Sequence, residues 1–290
     1  MTTAAPTPAV PAGRTGPTGP TGPAAARRSP AARLLALGRA EVTLLSRNRT
    51  ALFMALVLPL VLVGSLRSAL RAAAERTGGL DVNANLVTSS MGVVLLIVVY
   101  CNLTTAYTAR RTDLVLKRLR TGEAADAEIL LGTALPSIGL ALLQCLLLAV
   151  GGAAALHLRA PANPPLVLLG LVLSATLLTA LAALSSAVTR SVETAGVTTL
   201  PLLLVAQLGS GLLIPLESLP DGLADACRLL PTTPALQLVR TGWFGTDGTG
   251  PSEGFLGSWG PAAPPLLLSL VWAAAAVWAA GRWFRWEPRR

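Results

Sequence analysis

Residues 166–189 read LVLLGLVLSATLLTALAALSSAVT and contain no charged side chain. A stretch of about 18 or more apolar residues is long enough to cross a ~30 Å hydrocarbon core as a helix. In lipid the backbone must satisfy its own hydrogen bonds, which a helix does and an open strand does not. Further apolar stretches of the same kind lie at 51–66, 86–109, 129–156, 194–214 and 264–281. The sequence therefore predicts an all-α integral membrane protein with six transmembrane helices.

The composition agrees with a membrane protein. Hydrophobic residues make up 52% of the chain and charged residues only 13%, whereas soluble domains carry about 25% charged residues. A net charge of +9 is compatible with nucleic-acid binding. However, the basic residues cluster at the ends of the apolar stretches, where positive charge orients a membrane protein. We therefore expect a lipid bilayer around the chain and no nucleic acid as a partner.

The distribution of basic residues predicts the topology. Most of the 23 Lys and Arg residues fall on the side that holds the N-terminal segment, the 110–120 loop and the C-terminus. The positive-inside rule places that side in the cytoplasm, so both termini are predicted to be cytoplasmic. Lysine is scarce while Arg, Ala, Gly and Pro are abundant, which suggests a GC-rich bacterial genome. The predicted location is a bacterial plasma membrane, crossed several times.

The chain divides into three predicted segments. Residues 1–30 are rich in Pro, Gly, Thr and Ala and have little to bury, so they are predicted to form a disordered cytoplasmic tail. Residues 31–49 place apolar side chains on one arc of a helix and arginines opposite, which predicts an amphipathic helix in the membrane interface. A polar lead-in to the first span is the alternative. Residues 50–290 form the predicted six-helix transmembrane domain.

The residue inventory disfavours several chemistries. A P-loop needs a lysine after a glycine-rich turn, and the single lysine, Lys117, has no such turn before it. Metal sites need clustered ligands, but His157 is the only histidine, and Cys101, Cys145 and Cys227 lie far apart. Ser and Thr within the spans more often bond to a helix than act as nucleophiles, although some remain candidates for a substrate path. We therefore expect no cofactor, no metal and no catalytic activity.

Two loops carry further predictions. The cytoplasmic loop at 110–128 mixes charged and apolar residues and pairs Asp113 with Lys117 at i,i+4, which predicts a short amphipathic helix. Its alternative is a solvated loop. The outer segment at 215–263 holds two apolar pieces, 223–230 and 236–244, that are too short to span. These are predicted to be short re-entrant or interfacial helices before the last span.

Several sequence elements together resemble a known family. They are LPL at 58–60, RRTDLVLKRLR at 110–120, EILLG at 128–132, GLLIPLESLP at 211–220 and LLPTTPAL at 229–236. In this order, from residue 31 to the C-terminus, they resemble the ATP-binding-cassette type 2 transporter permeases, six-helix membrane subunits of bacterial exporters. Within that family they resemble the daunorubicin-type drug exporter permeases. Residues 112–113 and 121–123 depart from the family's usual turns, which affects the docking contacts and not the class.

The resemblance implies two functional regions. An ATPase-coupling helix would contain Leu114, Leu116, Lys117, Arg118, Leu119 and Arg120. An outer gate would contain Gly211, Pro215, Glu217 and Pro220. The implied partners are a cytoplasmic ATP-binding-cassette ATPase, a second permease copy or homologue, and a small hydrophobic substrate.

The predicted function is that of the transmembrane permease subunit of an ATP-binding-cassette exporter. Such a subunit moves a hydrophobic or amphipathic compound out of the cell, and a separate subunit hydrolyses the ATP that drives the transport. The expected compound is drug-like, antibiotic-like or lipid-linked. If it is a drug, the exporter would confer antibiotic resistance. An integral membrane enzyme acting on lipids is one alternative, and it would need a cluster of His, Asp or Arg at one membrane face. A non-transporting membrane anchor or sensor partner is the other.

Overall fold

The computed structural model describes residue 43 and residues 82–115, 125–156, 159–212, 216, 219–246 and 254–286. These residues are predominantly helical and contain no strand. The elements in chain order are α1 (Val82–Val94), a π-helix π1 (Leu95–Cys101), α2 (Asn102–Thr112), α3 (Asp126–Leu156), α4 (Pro164–Val188), α5 (Val192–Gly209), α6 (Asp221–Arg228), α7 (Thr233–Phe244), α8 (Gly254–Gly257) and α9 (Trp259–Trp283). The predicted tail, the interfacial helix apart from Thr43, and the first span lie outside the described residues.

The prediction of long apolar helices is confirmed for five of the six segments. Within the described residues, 5 helices are long and apolar enough to cross a membrane, namely Leu86–Thr112, Asp126–Ala154, Pro164–Val188, Val192–Gly209 and Gly254–Trp283. Each coincides with a predicted stretch. The stretch at 51–66 is not described, so a total of six spans stays a prediction. The stretch predicted to continue to residue 214 ends as a helix at Gly209, because Gly211 takes a φ of +72° that cannot extend a right-handed helix.

Two helical rods form the centre of the bundle. In the apolar stretch of the continuous rod α1–π1–α2, 83% of the residues are buried, and in that of α4 67% are buried. In the apolar stretches of α3, α5 and α9 the buried share is 22% each. The first rod packs against α3, α4 and α5, and α4 also packs against α7 and α9. The outer helices therefore present apolar surface, as helices facing lipid or another membrane protein do.

Small residues let α4 and α7 approach closely. A Cβ added at Gly170 in α4 would lie 2.9 Å from the carbonyl oxygen of Ala235 in α7. A Cβ added at Gly242 in α7 would lie 2.7 Å from the amide nitrogen of Val167 in α4. Membrane helices associate through close packing because lipid offers no hydrophobic drive between them, so small residues concentrate at such contacts. These two glycines fix the short helix α7 against the long helix α4.

Hydroxyl side chains within the spans mostly bond to helices. Thr104 Oγ1 donates to the carbonyl of Tyr100 at 2.8 Å, and Thr108 Oγ1 donates to the carbonyl of Thr104 at 2.8 Å. Tyr100 and Ser185 share a hydrogen bond of 3.0 Å between their hydroxyls, which joins π1 to α4. These bonds confirm the structural interpretation of these hydroxyls, since each already has a partner in the helix framework.

Candidate functional site

One end of the bundle, named here the Arg111 end, brings together the termini of most of the long helices. It contains the end of α2, the start of α3, the end of α4, the start of α5 and the end of α9. The Tyr107 hydroxyl in α2 donates to the carbonyl of Leu130 in α3 at 3.0 Å. The Tyr107 ring also meets the Phe284 ring, just after α9, edge-on at 6.1 Å between centroids. Tyr107 therefore holds three helices together at this end.

Arg111 joins the end of α2 to the end of α4. Its side chain is fully buried. Nη1 donates to the carbonyl of Ser186 at 2.5 Å, and Nη2 donates to the carbonyl of Thr189. The last carbonyls of a helix have no partner within the helix, and they carry the negative end of its dipole. Arg111 supplies both the hydrogen-bond donors and the positive charge that these carbonyls require.

The neighbouring Arg110 makes the corresponding link to α3. Its Nη1 donates to Thr133 Oγ1 at 2.8 Å, and Thr133 Oγ1 donates in turn to the carbonyl of Ile129 at 3.0 Å. Unlike Arg111, Arg110 is partly exposed. Two consecutive arginines at the end of α2 thus attach this helix to α3 on one side and to the α4–α5 turn on the other.

The predicted coupling helix is described only at its start, and that start needs correction. Leu114 does not belong to a helix: it lies in a turn after α2 with a φ of +58°. Its amide donates to the carbonyl of Arg111 at 3.1 Å, and the amide of Asp113 donates to the carbonyl of Ala109 at 2.9 Å. Such bonds end a helix through a left-handed residue, so a coupling helix must begin after Leu114.

The other predicted coupling residues lie outside the described residues. They are Leu116, Lys117, Arg118, Leu119 and Arg120. The described part of the loop ends at Val115, which is exposed together with Leu114. The structure thus brings the start of the predicted coupling segment next to the buried Arg111, and it leaves two apolar side chains uncovered there.

The opposite end, named here the Gly211 end, contains the start of α4, the end of α5, the short helices α6 to α8 and the start of α9. Asn163 organises it. Its Oδ1 accepts a hydrogen bond from the Leu166 amide at 3.1 Å and so caps α4. Its Nδ2 donates to the carbonyl of Phe255 at 3.2 Å and to Ser258 Oγ at 3.0 Å. One buried amide side chain therefore ties α8 and α9 to the start of α4.

Gly211 occupies a bend just after α5. Its φ of +72° favours glycine, because a side chain there meets steric strain. A Cβ at this position would also lie 2.9 Å from Nη1 of Arg240 in α7 and 3.3 Å from Cγ of Leu216. From the sequence, Gly211 is predicted only as a member of the outer gate. In the structure its backbone conformation and its close neighbours both require a glycine here.

The remaining predicted gate residues are partly described. Pro220 directly precedes α6 and accepts hydrogen bonds from the amides of Leu223 and Ala224 at 2.9 Å. Pro215 and Glu217 lie outside the described residues. The short helices α6 and α7 occur where the two short apolar pieces were predicted. Most of α7 is buried against α4 and α9, whereas α6 is largely exposed.

A polar cluster at the Gly211 end was not anticipated. Ser210 Oγ and Thr232 Oγ1 are 2.6 Å apart, and Thr233 Oγ1 donates to Ser210 Oγ at 3.1 Å. All three side chains are buried. They fasten the end of α5 to the start of α7. The only sequence signal was the Thr-Thr pair between two prolines in LLPTTPAL, which indicates a helix start but not its partner.

The described residues hold no group of three or more His, Cys, Asp or Glu side chains arranged to bind a metal ion. The three cysteines are unpaired thiols; Cys101 and Cys145 lie within spans and Cys227 lies in α6. The charged and polar side chains described above instead bind backbone carbonyls and hydroxyls at the helix ends. The arrangement at both ends is thus one that positions helices relative to each other.

Comparison with known proteins gives the family. The sequence profile of the ABC-2 type transporter membrane domain matches residues 32–244, which is most of the chain. No curated protein matches the chain at a significant level. Permeases of this family generally pair with an ATP-binding subunit. With its apolar helices and this match, the chain belongs to the ABC-2 type transporter family and is a multi-pass membrane protein of the permease type.

Proposed function

We propose that this chain is the permease subunit of a bacterial exporter that moves a hydrophobic or amphipathic compound outward. A separate cytoplasmic ABC ATPase hydrolyses the ATP. The Arg111 end faces the cytoplasm and the Gly211 end faces outward, in line with the charge distribution and the positive-inside rule. The daunorubicin-type subfamily and a role in antibiotic resistance belong to this proposal through the sequence resemblance.

The observation that carries the proposal is the attachment of the α2 end to the rest of the bundle. The predicted coupling segment follows α2 directly, and Arg110 and Arg111 link that point to α3 and to the α4–α5 turn. A force that the ATPase applies to residues 114–120 is therefore delivered to three spans at once. Exposed Leu114 and Val115 offer apolar surface for contact at the same place.

The second part of the proposal is that two permeases form a dimer. Helix α5 exposes Val197, Leu204 and Leu208, which follow each other at i, i+7 and i+11 on one side of the helix. Within the described residues the two central rods, α1–π1–α2 and α4, are packed together and leave no translocation path between them. We propose that two permeases pair along α5 and form the path between them. The few charges within the spans favour a neutral, lipophilic cargo over an ion.

The outer gate is the remaining part. We propose that α6 and α7 dip into the outer leaflet and return, and that they cover the path together with Gly211, Pro215, Glu217 and Pro220. Helix α7 is held from several sides, through Gly170 in α4 and through the Ser210 cluster. The segment after α6 is held by Trp272, whose Nε1 donates to the carbonyl of Leu229 at 3.1 Å. A shift of α4 or α5 would therefore move the outer gate.

The proposal is tested by co-expressing the chain with an ABC ATPase from the same genome and reconstituting the pair in lipid. We expect Leu116→Asp with Leu119→Asp to abolish co-purification of the ATPase and ATP-driven dye uptake into inverted vesicles, because charges replace the apolar docking face. The matched control, Leu223→Asp with Leu229→Asp at the Gly211 end, should leave co-purification of the ATPase unchanged, because these exposed leucines lie away from the docking face. If the coupling variant keeps the complex and transport, the contact lies elsewhere.

The orientation has its own test. In a variant without the native cysteines, Ser252→Cys in the predicted outer segment should react with a membrane-impermeant maleimide on intact cells. Arg190→Cys, in the exposed α4–α5 turn, should react only after permeabilisation. Reaction of Arg190→Cys on intact cells would show that the Arg111 end faces outward. A cytoplasmic ATPase could then not dock at that end.

A further inference from the structure

The end of α9, at the Arg111 end of the bundle, carries two exposed tryptophans. Trp278 is 66% exposed and Trp283 is 59% exposed. Their rings meet edge-on with 5.6 Å between centroids. Tryptophan is highly buried on average in soluble proteins, whereas in membrane proteins it is enriched where the bilayer meets water. The pair therefore marks a membrane–water interface at this end.

The length of α9 places the pair at the level of the lipid headgroups. Trp259 begins the helix and is also exposed. At 1.5 Å per residue, Trp278 lies roughly 28 Å along the axis from Trp259, and Trp283 lies roughly 36 Å from it. The hydrocarbon core is about 30 Å thick. With Trp259 at one boundary of the core, Trp278 lies at the other, and residues 282–285 lie among the headgroups.

Two arginines flank the point where α9 ends. Arg282 lies in the last turn and Arg285 follows the helix, and both are exposed. Between them Phe284 is buried, with its ring edge-on to that of Tyr107. The Phe284 amide donates to the carbonyl of Ala280 at 3.0 Å. Because Phe284 anchors the backbone, the positions from which the two guanidinium groups extend are fixed.

The described part of the chain does not neutralise these arginines. Arg282 and Arg285 make no ion pair and no hydrogen bond within it. The carboxylate of Asp126 lines a groove beside the end of α9, yet it pairs with neither of them. The indole N–H groups of the two exposed tryptophans also make no hydrogen bond there. Four side chains with hydrogen-bond donors, two of them charged, thus surround one helix end at the headgroup level.

We propose that the end of α9 binds the headgroup of an anionic phospholipid. Arginine binds phosphate through charge-assisted hydrogen bonds, and basic groups beside a transmembrane helix attract anionic headgroups. A zwitterionic lipid carries an ammonium group that the two arginines repel. The acyl chains would lie along the exposed apolar face of α9, which includes Val271 and Val277. A free phosphate ion has no chains for this face or for the tryptophans, so the ligand is a lipid. This binding does not depend on the proposed export function.

The test measures lipid binding to the full chain by native mass spectrometry. The probes are dioleoyl phosphatidylglycerol and dioleoyl phosphatidylcholine, which share their acyl chains and differ in headgroup charge. We expect the first phosphatidylglycerol to bind with the lower Kd. Arg282→Gln with Arg285→Gln should raise that Kd roughly fivefold per arginine, the effect of one basic residue near an anionic lipid surface. The Kd of phosphatidylcholine should stay nearly unchanged. Arg282→Lys with Arg285→Lys should keep the preference, because the charge is retained.

Matched controls separate this site from a general effect of charge. Arg159→Gln with Arg228→Gln removes the same net charge at the Gly211 end, where both arginines are exposed, and should leave the Kd of phosphatidylglycerol unchanged. Trp278→Leu with Trp283→Leu should weaken the binding of both lipids to a similar extent, because the rings contact either lipid. Unchanged binding of both lipids to this variant would contradict the aromatic part of the site.

Three results would overturn the proposal: equal Kd values for the two lipids, an equal loss in the variant at the Gly211 end, or displacement of phosphatidylglycerol by an excess of inorganic phosphate. The second would show a net-charge effect, and the third would show a site for free anions. Export is tested by dye uptake with variants of other residues. Loss of the lipid preference with intact dye uptake would remove this site alone, and the reverse result would remove export alone.

Discussion

Replacing Arg111 with methionine tests how strongly the α2 end is attached to the bundle. Methionine keeps an unbranched apolar stem of similar reach but removes the guanidinium. The carbonyls of Ser186 and Thr189 then lose their donors in a buried environment. The expected change is a detachment of α2 from the α4–α5 turn without a large loss of packing volume.

The magnitude follows from the two bonds. A buried acceptor left without a donor costs about 1–3 kcal/mol, so two acceptors cost about 2–6 kcal/mol. Removal of a buried charge recovers part of this, because its desolvation is no longer required. We therefore expect a net loss of about 3 kcal/mol, combining these two principles. At ~2–4 °C per kcal/mol for a chain of this size, the apparent Tm in detergent should fall by about 6–12 °C.

The adjacent arginine provides the control. Arg110 bonds the Thr133 hydroxyl and is partly exposed, so water can replace its guanidinium. Arg110→Met should lower the apparent Tm by no more than about 4 °C, corresponding to one ordinary hydrogen bond. Arg111→Lys should be intermediate, because an ammonium group cannot bond two carbonyls in the forked geometry of a guanidinium. Equal losses for Arg110→Met and Arg111→Met, measured by thermal unfolding of the purified proteins, would refute the proposed role of Arg111.

Two further predictions concern glycines. Gly211→Ala should destabilise the protein by about 1–2 kcal/mol, the cost of a side chain in the left-handed region. Gly222→Ala, in open space on α6, should not destabilise it. Thermal unfolding of both variants checks this, and equal stability would refute the requirement for a glycine at the bend. Gly242→Val should separate α7 from the α4 backbone at Val167 and abolish the monodisperse gel-filtration peak of the folded protein. Gly196→Val, where a Cβ meets open space, should elute normally. Normal elution of Gly242→Val would refute the close approach of α7 to α4.

Much of the membrane fold was predictable, because the length of each apolar stretch can be read directly from the sequence. The described spans lie where the sequence places them, and the short helices α6 and α7 occur at the predicted apolar pieces. The end of α5 was predicted too late, since hydropathy does not register the left-handed bend at Gly211. Leu114 was predicted to belong to the coupling helix but lies in a turn, because a leucine gives no sign in the sequence that it will adopt a positive φ.

The contacts at the helix ends were less accessible from sequence. Arg111 entered the sequence analysis only as a charge for the positive-inside rule and as part of the RRTDLVLKRLR element. Its burial follows a helical periodicity, because Tyr100, Leu103, Tyr107 and Arg111 lie on one fully buried face of the rod. That periodicity could have indicated an inward-facing arginine. Its partners could not be predicted, since they are backbone carbonyls of a helix far along the chain, and every residue carries such a carbonyl.

The long sequence separation between Arg111 and its partners affects the biosynthesis of the protein. Ser186 follows Arg111 by 75 residues, so at about 5–20 residues per second the ribosome needs roughly 4–15 s to supply the acceptor. During that interval the guanidinium must remain hydrated at the lipid headgroups, because burial without partners is costly. Helix α2 therefore completes its attachment to the bundle only after α4 has been inserted.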